Sequence, residues 1–209
     1  MVTAKHVLMV EGPDDEHVVK HICGQRQLGK IQYIHPYGGK DPLIEGIGVR
    51  LKESDIGALG IILDADTDLH ARWQAVAFRL SAAGYTDVPP TPVPEGTVIE
   101  SPADSLLPRV GVWLMPDNQL PGILEDFLRF LVPAGDRLLA HVDQALISIP
   151  AGERRFPEVR AAKARIHTWL AWQEEPGKPF GQAISARYLD LSLPAANLFA
   201  GWLQRTFFL

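Results

Sequence analysis

The sequence predicts an α/β protein with a mostly parallel β-sheet flanked by helices. Over roughly the first 115 residues, short apolar runs alternate with stretches of helical periodicity, which is the pattern of strands joined by crossover helices. The apolar runs are nearly continuous, as expected of strands that are buried on both faces. After Pro133 the pattern turns helical. We therefore predict an α/β domain over residues 1–133 and a helical C-terminal appendage over residues 134–209 that packs on it.

The apolar runs, and the proline and glycine residues between them, predict the individual strands and helices. Pro13 fits the start of a helix, and Gly84 fits the end of one. We predict strands at residues 6–10, 31–35, 56–63 and 110–114 that share one sheet, with a short strand at 97–100 inside a proline-rich loop. Predicted helices cover residues 13–24, 43–52, 69–83, 123–131, 136–147, 157–172 and 194–208.

Composition places the chain among ordinary globular proteins. Hydrophobic residues make up 46% of the 209 residues and charged residues 22%, which excludes a disordered chain. The single Cys23 excludes an internal disulfide and suits a reducing compartment. No apolar run approaches the ~20 residues that span a membrane. Acids directly follow the short apolar core of the first twelve residues, so we expect a first strand there, no signal peptide, and a cytoplasmic protein.

Charge is spread unevenly along the chain. The net charge of −5 divides into −8 over residues 1–150 and +3 over residues 151–209. An acidic body argues against coating nucleic acid by surface charge alone. It leaves a metal-dependent nuclease open, because a bound divalent cation supplies positive charge where a phosphate would lie.

The first group of acids follows the first predicted strand, in the segment EGPDDE at residues 11–16. Glu11 ends the strand, and Asp15 lies in the first helical turn, from which it can point back toward Glu11. Gly12 lets the backbone turn tightly beside a ligand. The alternative is that these acids only complement the helix dipole.

The second group of acids is DADTD at residues 64–68, after the third predicted strand. Asp64 and Asp66 are two residues apart and are expected to project the same way, as oxygen ligands for a hard cation such as Mg²⁺. An EF-hand is excluded, because Leu69 and Ala75 stand where that loop needs Gly and Glu. An aspartyl phosphotransferase fits poorly, because Asp68 stands where Thr or Val is expected. A solvated acidic turn is the remaining alternative.

Both groups of acids fall at the carboxyl ends of predicted parallel strands, where ligand sites form in open α/β sheets. We therefore predict that Glu11, Asp15, Asp64 and Asp66 gather a divalent cation.

The order Glu-Gly-x-x-Asp and then Asp-x-Asp resembles the Toprim domain of topoisomerases, bacterial primases, RNA-maturation nucleases and OLD (overcoming lysogenization defect) nucleases. The resemblance spans roughly residues 4–115. It implies a Toprim-like sheet in which Glu11, Asp64 and Asp66 bind Mg²⁺ or Mn²⁺ and act on phosphodiester bonds. Asp15 would match an extra acid of the OLD-type, two-metal variants. Three later segments also resemble a group of small microbial Toprim-like proteins of unknown function: VWLMPDN, LEDFL and KARIHTWLA.

Five further residues are candidates with an open alternative. Either Glu125 or Asp126 could face the metal, or both could serve the helix dipole. Asp117 ends another strand, but it also fits an Asx turn. Lys40 could reach a phosphate or be a plain surface lysine. Lys163 would match the late lysine that OLD-type nucleases place near their metals, and we take it as a catalytic candidate.

The leading functional hypothesis is a metal-dependent phosphodiesterase that acts on nucleic acid. The alternative is a non-catalytic Toprim-like module that binds nucleic acid, a nucleotide or an ATPase partner, and phosphotransfer on a small molecule is a weaker third. OLD-type Toprim domains travel with an ATPase, and no Gly-x-x-x-x-Gly-Lys-Ser/Thr segment occurs here. An ATPase would therefore be a separate protein. Assembly into a homo-oligomer stays open.

Overall fold

The computed structural model describes residues 4–209, so residues 1–3 of the predicted first domain lie outside the described residues. The strands are β1 (Lys5–Val10), β2 (Tyr33–Pro36), β3 (Ile56–Asp64), β4 (Thr97–Ile99) and β5 (Arg109–Met115). The helices are α1 (Pro13–Gln25), α2 (Lys40–Arg50), α3 (Leu69–Ala83), α4 (Leu124–Phe130), α5 (Arg137–Ser148), α6 (Ala161–Ala171), α7 (Phe180–Ser185) and α8 (Pro194–Phe207). A 3-10 turn at Glu158–Arg160 leads into α6.

The five strands form one sheet in the order β2-β1-β3-β5-β4. All neighbours pair in parallel except β4, which runs antiparallel to β5 at the edge. The predicted fold class is confirmed. The chain leaves β1 toward β2 on one side and returns to β3 on the other, so the strand order reverses between β1 and β3. In open α/β sheets, such a reversal opens a crevice at the carboxyl ends of the strands.

The sheet is covered on both faces, as its apolar strands require. Alternate side chains of a strand point to opposite faces: Leu8 and Val10 join one hydrophobic core, whereas Val7 and Met9 join the other. The first core also contains buried side chains of α1, α4, α6, α7 and α8. The second contains buried side chains of α2 and α3. No helix among residues 4–209 is long and apolar enough to cross a membrane.

Helix α8 lies against the sheet where two strands carry glycine. Gly60 on β3 and Gly111 on β5 are register partners. A Cβ at Gly60 would lie 2.5 Å from the Phe207 ring, and one at Gly111 would lie 2.1 Å from the Thr206 hydroxyl. The absence of side chains at these two positions therefore lets the C-terminal helix approach the strands closely. The division into domains at residue 133 stays a prediction.

Four elements differ from the sequence prediction. Helix α2 covers Lys40–Arg50, so it begins three residues earlier and ends two residues earlier than predicted. Strand β2 begins at Tyr33, two residues later than predicted. The helix predicted from residue 157 starts with a 3-10 turn before α6. Helix α7 was not predicted, because its six residues are fewer than two turns and show no clear helical period.

Replacing Gly111 by Ala should destabilise the fold. The new methyl group would collide with Thr206 on α8, and such overpacking costs about 1–3 kcal/mol. The matched control is Gly48→Ala on α2, where a Cβ would meet no atom within 4 Å and where the helical propensity of Ala should stabilise by about 0.5–1 kcal/mol. Urea unfolding of both variants measures the difference. Equal stabilities would mean that α8 does not depend on the glycine surface.

Candidate metal centre

The two predicted groups of acids meet at the strand reversal between β1 and β3. Glu11 directly follows β1, and Asp64 is the last residue of β3. A Glu11 carboxylate oxygen, Oε1, accepts a hydrogen bond from the Asp64 backbone N–H at 2.8 Å. The sheet register therefore brings the residues together across 53 positions of sequence.

Asp15 combines the two roles that the sequence left open. It lies in the first turn of α1, and its Oδ2 accepts a hydrogen bond from the Gly12 backbone N–H at 2.9 Å, so it does stabilise the helix start. It is also 7% exposed, and the charges of Glu11 and Glu125 act on it. A carboxylate that only stabilised the helix dipole would be exposed and away from other acids. Asp15 therefore belongs with Glu11 and Glu125.

Helix α4 adds a fourth carboxylate, and of the two adjacent acids Glu125 and Asp126 it is Glu125 that lies with the other acids. Asp64 Oδ1 accepts a hydrogen bond from the Leu124 backbone N–H at 2.9 Å, which places the start of α4 against the end of β3. Glu125 is next in the chain and is only 2% exposed. Asp126 instead accepts from the Ile123 backbone N–H at 3.1 Å and caps the helix. We name Glu11, Asp15, Asp64 and Glu125 the acidic cluster.

Lys163 lies beside the acidic cluster. Its ammonium group donates to Glu125 Oε1, while Glu125 Oε2 is buried and makes no hydrogen bond within the described residues. Burial opposes the charged form of Lys163, but the bond to Glu125 and the charges of Glu125, Asp64 and Asp14 outweigh it and raise the pKa of Lys163. Lys163 therefore stays a cation that partly offsets the cluster.

Burial and the repulsion between neighbouring carboxylates make Asp64, Asp15 and Glu11 hard to ionise. Burial first, and then the charges of Glu11, Asp15 and Glu125, raise the pKa of Asp64 to about 9. Burial and the same kind of repulsion raise the pKa of Asp15 to about 7. Burial also raises the pKa of Glu11, with Asp66 adding to it and Arg72 opposing it. Near neutral pH, binding of a proton or of another cation therefore stabilises these carboxylates.

Asp66 makes different contacts from Asp64, although the two are separated by one residue. Its carboxylate accepts from Arg72 at 2.6 Å and from Lys40 at 3.0 Å. Asp66 has a φ of 55°, in the left-handed region, so the alternation of a strand does not continue past Asp64. The expectation that the pair projects the same way overlooked this break in the backbone.

Arg72 is a residue of the site that the sequence analysis missed. Besides Asp66, it bonds the backbone carbonyl of Asp64, which accepts from Arg72 Nε at 2.9 Å. Arg72 lies in the first turn of α3, where a positive charge is unfavourable for the helix dipole. That unfavourable position directly after an acidic segment was the available signal.

The two remaining candidates, Asp117 and Lys40, lie outside the acidic cluster. Asp117 accepts hydrogen bonds from the backbone N–H groups of Gln119 and Leu120 at 3.0 and 2.8 Å, which is the Asx-turn alternative. Lys40, at the start of α2, forms its ion pair with Asp66. Lys40 therefore lies at the edge of the site, next to the acids.

The acidic cluster is not gathered in a ready ligand geometry. Among residues 4–209, no three acidic, histidine or cysteine side chains are placed so that they could hold a metal ion. Glu11, Asp15 and Asp64 each have one oxygen held by a backbone N–H, which fixes their position. Glu125 Oε2, which is buried and has no donor in the described part of the chain, is the polar atom that best fits a cation. The predicted metal set stays a prediction.

Comparison with known protein families gives a match over nearly the whole chain. A family model described as a protein of unknown function (DUF3226) matches residues 5–208. Neither the curated proteins nor the solved structures include a significant match. The resemblance to Toprim domains stays a prediction.

Replacing Asp64 by Asn should stabilise the metal-free protein, and more so as the pH rises. A folded-state pKa of about 9, above the ordinary 3.8, means that protonation of Asp64 adds stability that is complete below about pH 4 and is lost as the pH rises through about 9. Asn keeps the acceptor for Leu124 and carries no charge. At about pH 9 we expect a gain of at least about 1.4 kcal/mol, the value of one pKa unit.

Urea unfolding in chelator from about pH 5 to pH 9 measures this difference. Asp87→Asn, which neutralises an exposed carboxylate outside the cluster, is the control and should follow the wild type. If the difference in free energy of unfolding between Asp64→Asn and the wild type did not change with pH, Asp64 would be ionised over the whole range measured.

Proposed function

We propose, for a chain that belongs to the DUF3226 family of proteins of unknown function, that it is a divalent-metal-dependent phosphodiesterase acting on nucleic acid. The observation that carries the proposal is the acidic cluster at the strand reversal, in which a buried oxygen of Glu125 has no hydrogen-bond donor among residues 4–209. Four carboxylates in one crevice repel one another, and this repulsion lowers folding stability. Binding of a cation would offset this repulsion and would explain why the four carboxylates lie together.

The residues present fit Mg²⁺ or Mn²⁺. Both ions prefer oxygen ligands, and the cluster offers only carboxylates. Glu11, Asp64 and Glu125 would hold the ion after their side chains move from the positions seen here into ligand positions, with Asp15 beside them. When bound, such an ion supplies Lewis-acid polarisation of a phosphoryl oxygen and offsets negative charge in the transition state.

The surrounding cations would receive the phosphate. Lys40 and Arg72 are held at the edge of the site by Asp66, and Lys163 is held by Glu125. When a metal ion binds the carboxylates of Asp66 and Glu125, the three cations lose part of their ion-pair partners. They can then donate hydrogen bonds to phosphate oxygens. Asp66 would keep Lys40 and Arg72 close to the phosphate. Its carboxylate would also be available as a metal ligand. Lys163 is placed to neutralise charge that develops on the phosphate.

A non-catalytic binding module is the second candidate. The net charge of −5 disfavours tight nucleic-acid binding by this chain alone, so a separate ATPase or another partner would have to present the ligand. The same acidic cluster would then bind a metal without turnover. The cleavage experiment separates the two candidates.

The purified protein should cleave nucleic acid with Mg²⁺ or Mn²⁺ and should be inactive in chelator, because only a cation brings a phosphate into this acidic crevice. Asp64→Asn and Asp66→Ala should each lower the rate by about a hundredfold or more, since the metal supplies several kcal/mol of charge stabilisation. Lys163→Ala should lower it by about tenfold or more. Single-stranded and duplex DNA and RNA, labelled at one end and resolved on gels, are the substrates.

Two controls make the result decisive. Asp87→Asn should cleave like the wild type, and Ca²⁺ should bind but support little turnover because it is larger and less demanding in geometry. Cleavage that is undiminished in Asp64→Asn would point to another nuclease in the preparation. Calorimetric Mn²⁺ binding that Asp64→Asn abolishes, with no substrate cut by the wild type, would favour the binding module.

A further inference from the structure

One side chain joins both ends of the turn that carries Asp64 and Asp66. Arg72 Nε donates a hydrogen bond to the Asp64 backbone carbonyl at 2.9 Å, and a terminal nitrogen of the same guanidinium group donates to Asp66 Oδ2 at 2.6 Å. A guanidinium group is planar and rigid, so two bonds from it fix the relative positions of their acceptors. The Arg72 side chain is 11% exposed, and little water competes for these bonds.

The turn itself needs support from its surroundings. Asp66 has a φ of 55°, in the left-handed region that residues other than glycine adopt rarely. On the side of β5, the Ala65 N–H donates to the Met115 carbonyl at 3.2 Å, and the Asp66 N–H donates to the Gly122 carbonyl at 2.9 Å. On the side of α3, Arg72 holds the turn. The backbone of the two acids is therefore fixed between two elements of the fold.

Helix α3 does not depend on the charge of Arg72. Its start is already capped, because the Asp68 side chain accepts a hydrogen bond from the Ala71 backbone N–H at 2.9 Å. Arg72 lies in the first turn, where a positive charge opposes the helix dipole. Its bonds to the acidic turn therefore account for its position better than any benefit to the helix.

Arg72 also lies within electrostatic reach of the acidic cluster. Burial raises the pKa of Glu11, and the charge of Asp66 adds to this shift while that of Arg72 opposes it. Lys40 pairs with Asp66 as well, at 3.0 Å, but its side chain is 44% exposed. A metal ion on the Asp66 carboxylate would compete with both cations there. The bond from Arg72 to the Asp64 carbonyl would remain, since it does not involve a carboxylate.

We propose that Arg72 is a positioning residue of the candidate metal centre, which fixes the backbone from which Asp64 and Asp66 present their carboxylates to a divalent cation. In this role Arg72 acts through the two acids and does not contact the ion. Residues that orient metal ligands commonly set the metal affinity, and their loss weakens binding by about 10- to 100-fold. The inference rests on the proposed function for the identity of the ion.

The variant Arg72→Lys tests the geometry apart from the charge. Lysine keeps the positive charge and an aliphatic stem, but its ammonium group cannot reproduce the two-point contact of a guanidinium group. We expect the variant to fold and to bind Mn²⁺ about tenfold or more weakly than the wild type, measured by calorimetry without nucleic acid. A role in folding alone would lower the free energy of unfolding in urea and leave the Mn²⁺ affinity of the folded protein unchanged.

The variant Arg72→Met tests the charge from the opposite side. If Arg72 acted only as a nearby positive charge, its removal would tighten Mn²⁺ binding, because like charges repel. Loss of the two-point contact should instead weaken binding. The matched control is Arg79→Lys, the same substitution further along α3, which should bind Mn²⁺ like the wild type.

Wild-type Mn²⁺ affinity in folded Arg72→Lys, or tighter binding in Arg72→Met, would overturn the inference. An equal loss in Arg72→Lys and Arg79→Lys would also overturn it, as would a wild type that binds no Mn²⁺. Cleavage tests the proposed function separately. If the wild type cut nucleic acid while Arg72→Lys kept its Mn²⁺ affinity, the phosphodiesterase would stand without this inference. Weaker Mn²⁺ binding in Arg72→Lys, in a protein whose wild type cuts nothing, would support the inference and count against the phosphodiesterase.

Discussion

Repulsion between buried carboxylates is the constraint around which the site is organised. Glu11, Asp15, Asp64 and Glu125 share one crevice, and burial and repulsion raise the pKa of Asp64 to about 9. Charges in such a place persist only when they are paired or neutralised. The protein supplies backbone N–H groups for three of the acids and one lysine for the fourth. One oxygen of Glu125 still lacks a donor within the described residues, so these partners do not fully compensate the cluster.

The sheet topology creates this crowding. Because β1 and β3 are neighbours and the strand order reverses between them, the residues that follow both strands enter the same crevice. The starts of α1 and α4 then place Asp15 and Glu125 there, through contacts with Gly12 and Asp64. The sheet itself is held from the other end of the chain by α8, which packs on Gly60 and Gly111. The C-terminal region therefore supports the strands that carry the acids and also supplies Lys163.

Much of this arrangement follows from sequence pattern. Continuous apolar runs identify parallel strands, and acids at their carboxyl ends identify the crevice, so Glu11 and Asp64 were predicted from elementary rules. Asp66 shows where those rules end, because its left-handed backbone depends on the local contact with Gly122. The choice between Glu125 and Asp126 depends on how α4 docks, which two adjacent acids cannot reveal.

We propose that the acidic cluster binds a divalent cation. A crystal soaked in Mn²⁺, measured near the manganese absorption edge, locates the ion by its anomalous scattering. The ion should lie among the carboxylates of Glu11, Asp64 and Glu125, at ligand distances of ~2.0–2.3 Å. A crystal in which Mn²⁺ gives strong anomalous peaks at other positions, and none at these carboxylates, would contradict this proposal.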